Sequence, residues 1–162
     1  MRLAASVAAA VFVADQVSKY IVVHVLSLDT RLAIDVLPPI FNLRMAWNRG
    51  VNFGLFAQDA DFMRWVLIAV ALAISLWVWL WVRREPPRAV VHIAAGLLVG
   101  GALGNVIDRV IYGAVADFIN MSCCGIRTPV AFNIADVSIF AGAIGLVLFT
   151  GRAAGPGTAK TP

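Results

Sequence analysis

Charged residues, histidine and cysteine are all scarce in this chain of 162 residues. Asp, Glu, Lys and Arg together make up 14% of it, whereas a soluble domain has about 25%. Hydrophobic residues make up 61%, and the mean hydropathy is +0.87, so the composition indicates an integral membrane protein. The net charge of +4 is too small to indicate nucleic-acid binding.

The few cysteines and histidines are not arranged as a metal site. Cys123 and Cys124 are adjacent, and a disulfide between neighbours would be strained, so two free thiols are expected and no role is assigned to them. His24 and His92 are far apart, and the chain contains neither a CxxC pair nor an HExxH motif. The usual zinc-knuckle and zinc-protease patterns are therefore excluded, and no metal or other cofactor is expected.

Four segments are apolar enough for membrane-spanning helices, which need about 20 such residues each. They run roughly over 3–26, 62–82, 89–107 and 134–151. Asp15 and Lys19 interrupt the first segment and no convincing cleavage site follows it, so we expect a retained span rather than a cleaved signal peptide. The sequence predicts an all-α membrane protein with one four-helix domain over 1–154 and a short disordered cytoplasmic tail over 155–162.

Positive charge is densest at the termini and in the short link between the second and third spans. Four spans place these regions on one side, and the cations there are Arg2, Arg83, Arg84, Arg88, Arg152 and Lys160. The loops on the opposite side are longer and their arginines are more dilute. The positive-inside rule therefore predicts that both termini are cytoplasmic.

The two long connections, 27–61 and 111–133, are then expected to face outward. Apolar and other residues alternate from Phe41 to Trp47, which predicts a strand, and the following Asn48-Arg49-Gly50 predicts a turn. Residues 129–133 are a candidate for a second short strand. A small sheet on the outer membrane surface follows, because unpaired backbone groups are costly in lipid.

Asp15 and Lys19 lie four residues apart in the first span, so they share a helix face and can form an ion pair. Such a pair is either a buried structural tether or part of a functional site. Ser18 precedes Lys19, but neighbouring residues point about 100° apart on a helix, which disfavours a serine–lysine nucleophile.

A second polar group closes the third span, where Asn105, Asp108 and Arg109 share one helix face. These residues either anchor the helix at the interface or support a reactive centre. Three small residues recur every four positions just before them: Gly96, Gly100 and Gly104. That spacing predicts a face on which another helix packs closely.

Asp117 and Asp136 flank the second outer connection, each among apolar residues and at about the same predicted depth. Two carboxylates brought close together cannot both ionise readily, so one keeps a proton. One can then deprotonate a water while the other protonates the carbonyl or the leaving amine. Alternatively, Asp117 caps a turn and Asp136 interacts with a helix dipole.

As a set, these polar positions resemble lipoprotein signal peptidase, the bacterial type II signal peptidase. The matching stretches are 15–19 (DQVSK), 48–54 (NRGVNFG), 101–109 (GALGNVIDR), 116–118 (ADF) and 132–136 (FNIAD). They occur in the family's order across nearly the whole chain. Ala116 replaces a commonly β-branched residue and Val137 a commonly small one, and neither departure removes a chemical group.

The resemblance implies four transmembrane helices, a small extracytoplasmic sheet that cradles the substrate, and an active site near the outer surface of the bacterial cytoplasmic (inner) membrane. It implies cleavage of the signal peptide from diacylglyceryl prolipoproteins just before the lipidated cysteine, with membrane lipids and globomycin-type inhibitors as further partners. By the family pattern, Asp117 and Asp136 form a catalytic aspartyl dyad. The implied substrate-binding or supporting positions are Asp15, Lys19, Asn48, Gly50, Asn105, Asp108, Arg109 and Asn133. Separately from the resemblance, we expect the strand that ends at Trp47 and the glycine-bearing 48–54 segment to form a mobile flap.

Other functions are compatible with intramembrane charges alone. A small ion-coupled transporter would use Asp15, Lys19, Asp108 and Arg109 as a charge relay and would not need Asp117 or Asp136. A non-enzymatic assembly factor would bind lipidated proteins without cleaving them. Rhomboid-type and presenilin-type proteases need a serine–histidine pair or a GxGD motif, and neither is seen.

Overall fold

A computed structural model describes residues 1–50, 60–122, 128 and 130–150. Within these ranges the chain is mostly helical and carries one small antiparallel sheet. The helices are α1 (Arg2–Tyr20), α2 (Leu28–Arg31), α3 (Ala60–Val82), α4 (Ala89–Tyr112) and α5 (Ile134–Thr150), and the strands are β1 (Ala33–Leu37), β2 (Phe41–Asn48) and β3 (Val115–Met121). One π-helical turn, Ile21–Val25, extends α1.

Three helical stretches in the described part of the chain are long and apolar enough to cross a membrane: Arg2–Val25, Asp61–Val82 and Ala89–Tyr112. The fourth predicted segment forms the apolar helix α5, which is shorter at 17 residues. Large apolar side chains such as Trp77, Phe140 and Val147 are exposed on these helices. Exposed apolar surface of this extent is expected where helices face lipid.

Helix α4 lies at the centre and contacts α1, α3 and α5. Its small residues allow the close approach that the sequence predicts. A Cβ atom on Gly100 would lie 2.5 Å from the backbone oxygen of Ala8, and one on Gly96 would lie 2.7 Å from that of Ala4. The glycines of α4 therefore bring its backbone against that of α1.

Two apolar clusters hold the elements together. The first joins the four long helices, and its buried members are Ala8, Val78, Val82, Val91, Ala94, Ala95, Leu98, Val99 and Leu146. The second packs the sheet against the end of the first helical stretch and α2, and its buried members are Val22, Leu28, Leu43 and Phe118. The sheet is thus fixed to one end of the helical bundle.

The sheet has the order β1-β2-β3, with both pairs antiparallel. The predicted strand at Phe41–Trp47 is confirmed as β2, whereas β1 and β3 were not predicted. The candidate strand at 129–133 is not formed among the described residues, where Phe132 makes a single bridge to Ile119. Asn133 already caps α5, which leaves little chain there for a strand.

One face of the sheet is apolar and the other is polar. Phe41, Leu43 and Met45 all pack on the second cluster, so Asn42 and Ala46, which alternate with them, point away from it. Their partners in β3 are Asn120 and Asp117 respectively. We name this second surface the polar face.

A bulge keeps Asp117 and Asn120 together on the polar face. Phe118 and Ile119, between them in sequence, both pack on the apolar cluster, and both backbone N–H groups donate to the carbonyl oxygen of Phe132. The alternation of side chains therefore slips by one residue at this point.

Helix α4 extends five residues beyond the predicted end at 107. It ends at Gly113, which adopts a left-handed φ of 75° and donates its N–H to the carbonyl oxygen of Arg109. Glycine is favoured at this position because a Cβ atom would be strained there. Asn105, Asp108 and Arg109 therefore lie within the helix.

Several predictions fall outside the described residues. These are the free thiols expected at Cys123 and Cys124, the part of the proposed flap after Gly50, residue 151 at the end of the fourth span, and the tail at 155–162.

We expect Gly100→Ala to destabilise the protein by about 1–3 kcal/mol, the usual range for overpacking a tight contact. The added methyl group would overlap the backbone of Ala8, which cannot move aside as a flexible side chain could. Thermal unfolding in detergent measures the loss. Leu103→Ala, at an exposed position of the same helix, is the control for an added alanine. Equal melting temperatures for Gly100→Ala and the wild type would contradict the close contact.

Candidate active site

Asp117 lies on β3, is 3% exposed, and receives hydrogen bonds on both carboxylate oxygens. The Asn48 side-chain amide donates to Oδ2 at 3.0 Å, and the Asn133 side-chain amide donates to Oδ1 at 2.6 Å. Two asparagines from different parts of the chain therefore hold the carboxylate in one orientation.

The orientation of the Asn48 amide is set by the turn that follows β2. Its Oδ1 accepts the backbone N–H of Gly50 at 2.8 Å, which leaves Nδ2 to face Asp117. This is an Asx-turn, and Gly50 adopts a left-handed φ of 77° within it. The turn predicted at Asn48-Arg49-Gly50 is confirmed, and it explains why glycine is suited to position 50.

Asp136 occupies the first turn of α5 and forms a reciprocal cap with Asn133. The Asp136 N–H donates to Asn133 Oδ1 at 2.9 Å, and the Asn133 N–H donates to Asp136 Oδ2 at 3.3 Å. This is the geometry of a capping box. Because its Oδ1 is engaged in the cap, the fully buried Asn133 directs Nδ2 towards Asp117. One asparagine therefore binds both aspartates.

Asn105 links Asp136 to a buried cation. Its Nδ2 donates to Asp136 Oδ1 at 2.8 Å, while its Oδ1 accepts a hydrogen bond from Lys19 Nζ at 3.2 Å. The lysine thus orients the amide without contacting Asp136 itself.

Lys19 lies between two carboxylates. Its Nζ is 2.7 Å from Asp15 and 2.8 Å from Asp108, and all three side chains are almost fully buried. The predicted ion pair between Asp15 and Lys19 is confirmed. Its second carboxylate partner comes from α4, so the cluster connects α1 with α4.

The two carboxylates of this cluster also bind backbone N–H groups next to the other aspartates. Asp15 Oδ1 accepts the N–H of Ala135 at 3.0 Å, and Asp108 Oδ2 accepts that of Ala116 at 3.3 Å. Ala135 directly precedes Asp136, and Ala116 directly precedes Asp117. The ion cluster therefore positions the backbone on which each aspartate is carried.

Gln16 belongs to this network, although it is not among the predicted site residues. Its Nε2 donates to Asp108 Oδ1 at 3.0 Å and lies 3.2 Å from Asp15 Oδ2. An uncharged amide beside Asp15 in an apolar span is the signal that could have identified it. Gly104 leaves space for the same carboxylate, because a Cβ atom there would lie 2.5 Å from Asp15 Oδ2.

Arg109 is the second cation near the aspartates. Its guanidinium donates to the Asn105 carbonyl at 3.2 Å, and its charge is attracted to Asp117, Asp136 and Asp108. The structure thus brings together the eight predicted supporting positions and the two aspartates, with Gly50 acting through its backbone.

Burial, together with the nearby charge of Asp136, raises the pKa of the Asp117 carboxyl from its ordinary value of 3.8 to about 6. The hydrogen bonds from Asn48 and Asn133 and the charge of Lys19 act in the opposite direction. Asp117 therefore accepts a proton far more readily than an exposed aspartate does.

No group of three or more His, Cys, Asp or Glu side chains in the described residues is arranged to hold a metal ion. A cleft of about 340 Å³ opens between α1 and α4 beside Lys19 and Asp108. Asp117 and Asp136 do not line it, although Ala116, which precedes Asp117, does.

Comparisons of sequence and of structure both find proteins similar to this chain. The family described as Signal peptidase (SPase) II matches residues 7–151. A lipoprotein signal peptidase of Methylobacterium sp. (strain 4-46) is 40% identical over 148 residues, covering 91% of this chain and 88% of that protein. One from Sphingopyxis alaskensis is 40% identical over 156 residues, covering 94% and 89%. A solved bacterial membrane enzyme aligns with a TM-score of 0.78 and 26% identity, covering 100% of this chain and 95% of that one.

We expect the free energy of unfolding of Asp117→Asn, relative to that of the wild type, to be higher at pH 8 than at pH 4. The pKa of Asp117 rises on folding from 3.8 to about 6, so this group stabilises the fold below pH 4 and loses that contribution as the pH rises through 6. Two pKa units correspond to about 3 kcal/mol, and asparagine does not titrate. Thermal unfolding in detergent at both pH values measures the two differences.

Asp29→Asn is the matched control, because Asp29 is exposed. A difference between Asp117→Asn and the wild type that is the same at pH 4 and pH 8 would contradict a raised pKa for Asp117.

Proposed function

The chain belongs to the signal peptidase II family, and on that premise we propose that it is an aspartyl endopeptidase of the membrane. It removes the signal peptide from diacylglyceryl-modified prolipoproteins by cleaving just before the lipidated cysteine. The processing of prolipoproteins follows from family membership, whereas the aspartic mechanism and its residues are our proposal.

The observation that carries the mechanism is the binding of Asp117 and Asp136 to one buried asparagine, Asn133. Two carboxylates that bind the same side chain share a proton, because ionising both would place two negative charges in a poorly solvated site. The ionised member deprotonates a water that attacks the scissile carbonyl, and the protonated member donates to the carbonyl oxygen and later to the leaving amine.

The local charges support one shared proton. Lys19 is paired with both Asp15 and Asp108, so this cluster has a net charge of −1 when all three groups are ionised. Arg109 is the further cation attracted to Asp117 and Asp136, and it offsets one of their two charges. A single proton therefore makes the aspartate pair and Arg109 neutral together.

We place the aspartates near the extracytoplasmic surface of a bacterial inner membrane crossed by four helices, with α5 as the fourth. Arg2, Arg83, Arg84 and Arg88 lie at the helix ends opposite the sheet, and the positive-inside rule places those ends in the cytoplasm. The sheet and both aspartates then lie outside, at the depth where diacylglycerol would hold a substrate cysteine. Burial of acyl methylenes contributes about 0.8 kcal/mol each to that anchoring.

The supporting residues position the pair rather than react. Asn48, Asn105 and Asn133 each have Oδ1 engaged elsewhere, so each presents Nδ2 to an aspartate. Membrane lipids and globomycin-type inhibitors are the further partners that we propose for this site. The flap proposed for 48–54 lies mostly outside the described residues, and spin labels that show no distance change on inhibitor binding would argue against it.

We expect Asp117→Asn and Asp136→Asn each to reduce cleavage of a diacylglyceryl prolipoprotein in detergent by about 10²–10⁴-fold, the usual range for loss of a general acid or base. Asp29→Asn is the control for the same change at an exposed site. A chelator should leave the wild-type rate unchanged. Full activity in either dyad variant would refute the assignment and favour a binding or transport function.

We further expect Asn48→Ala to move the alkaline limb of the kcat/KM profile to higher pH and to lower the maximum rate about tenfold. A dyad with one proton loses activity when that proton leaves, and the Asn48 hydrogen bond favours the ionised form of Asp117. Without this bond the pKa of the pair rises. Arg49→Ala alters the exposed neighbour and serves as control. A limb that stays in place or moves to lower pH would contradict this role.

A further inference from the structure

Gln16 is an uncharged side chain within the buried ion cluster that joins α1 to α4. Its Nε2 lies 3.0 Å from Asp108 Oδ1, 3.2 Å from Asp15 Oδ2 and 3.3 Å from the carbonyl oxygen of Gly104. Three acceptors thus surround a group that carries two hydrogens, and the amide oxygen would be repelled if it took the place of Nε2. The cluster therefore fixes the orientation of the Gln16 amide.

One oxygen of Asp108 depends on Gln16 for its hydrogen bond. Oδ2 binds Lys19 Nζ at 2.8 Å and the Ala116 N–H at 3.3 Å, whereas Oδ1 accepts only from Gln16 among the described residues. Asp108 is 1% exposed, so solvent does not supply a second donor. A buried carboxylate oxygen without a donor is unfavourable. Loss of Gln16 would therefore favour rotation or protonation of Asp108.

Gln16 also separates Asp108 from the cleft between α1 and α4. Both residues line this cleft, but Gln16 is half-buried and Asp108 is almost fully buried. The other polar side chains that line it are Lys19, which already binds three acceptors, and Tyr20 and Tyr112, which make no hydrogen bond to Asp108. Gln16 is thus the side chain that holds Asp108 on the side of the cleft.

A movement of Asp108 would reach the site of the two aspartates through one residue of backbone. Asp108 Oδ2 holds the N–H of Ala116, and Asp117 is the next residue along β3. A displacement of about 1 Å in a reacting group lowers the rate of an enzyme by as much as about 10²-fold. The orientation of Asp108 therefore affects the reaction even though Asp108 does not react.

From these contacts we infer that Gln16 is a positioning residue for the reaction, which holds Asp108 in the orientation that keeps Asp117 in place. The inference rests on the proposed function. A neutral amide supplies the hydrogen bond without changing the charge of the cluster, as a second cation would. Within the described residues Gln16 bonds to neither Asp117 nor Asp136, so it takes no direct part in the proton transfers.

Gln16→Leu removes the donor and retains an apolar side chain against the cleft. We expect kcat for a diacylglyceryl prolipoprotein in detergent to fall about 10–100-fold while KM stays within about twofold of the wild type, because Gln16 positions a reacting group and does not bind substrate. Val17→Leu, at a neighbouring position of the cleft, is the control. A folded Gln16→Leu with the wild-type kcat, or with an effect on KM alone, would overturn the inference. A wild type that cleaves no prolipoprotein would contradict the proposed function instead.

Gln16→Glu tests the hydrogen bond itself and does not depend on how Gln16→Leu folds. A protonated carboxyl at this position donates a hydrogen bond as the amide does, whereas an ionised one cannot donate and repels the two carboxylates. We expect kcat, as a ratio to that of the wild type at the same pH, to lie within about threefold at pH 5.5 and to fall about tenfold further by pH 9. A ratio that stays constant or rises with pH would overturn the inference. The titratable groups that face this position are common to both proteins and are Asp15, Lys19 and Tyr20 on α1 and Asp108 and Tyr112 on α4.

Discussion

The ion cluster of Lys19 with Asp15 and Asp108 is the interaction on which the site depends. It joins α1 to α4 through side chains. Through backbone N–H groups it also fixes Ala135 at the start of α5 and Ala116 on β3. Each of these alanines precedes one of the two aspartates. A single buried cation thus determines how two distant chain segments meet.

Burying three charges is unfavourable unless each is paired and hydrogen-bonded, and here the pairing is nearly complete. Gln16 donates to Asp108, and Gly104 provides the space that the Asp15 carboxylate needs. Apolar residues of the same volume would pack α1 against α4 as well or better, but they could not bind the N–H groups of Ala116 and Ala135. The cluster therefore contributes more to positioning the two aspartates than to the stability of the fold.

Much of this arrangement is visible in the sequence because helices have a strict geometry. The spacing of Asp15 and Lys19 predicts their pairing, and the glycines of α4 predict its contact with α1. Strand β3 was missed because it is buried on both faces and bulged, so it shows no alternation. The short edge strand β1 has too few residues to show a pattern. That Asp108 in α4 is the partner of Lys19 could not be predicted, because the pairing depends on which helices are in contact and residue spacing within one helix does not show this.

The use of asparagine around the two aspartates has an electrostatic reason. Asn105 lies between Lys19 and Asp136. Lys19 orients the Asn105 amide, and the amide orients the Asp136 carboxylate, so the positive charge does not contact the carboxylate directly. A lysine or arginine bonded directly to either aspartate would favour the ionised form and lower its pKa. Neutral amides fix the carboxylates while burial keeps the pKa of Asp117 near 6. One aspartate can then act as the acid and the other as the base, because neutral amides orient both carboxylates without adding a charge that would favour their ionised forms.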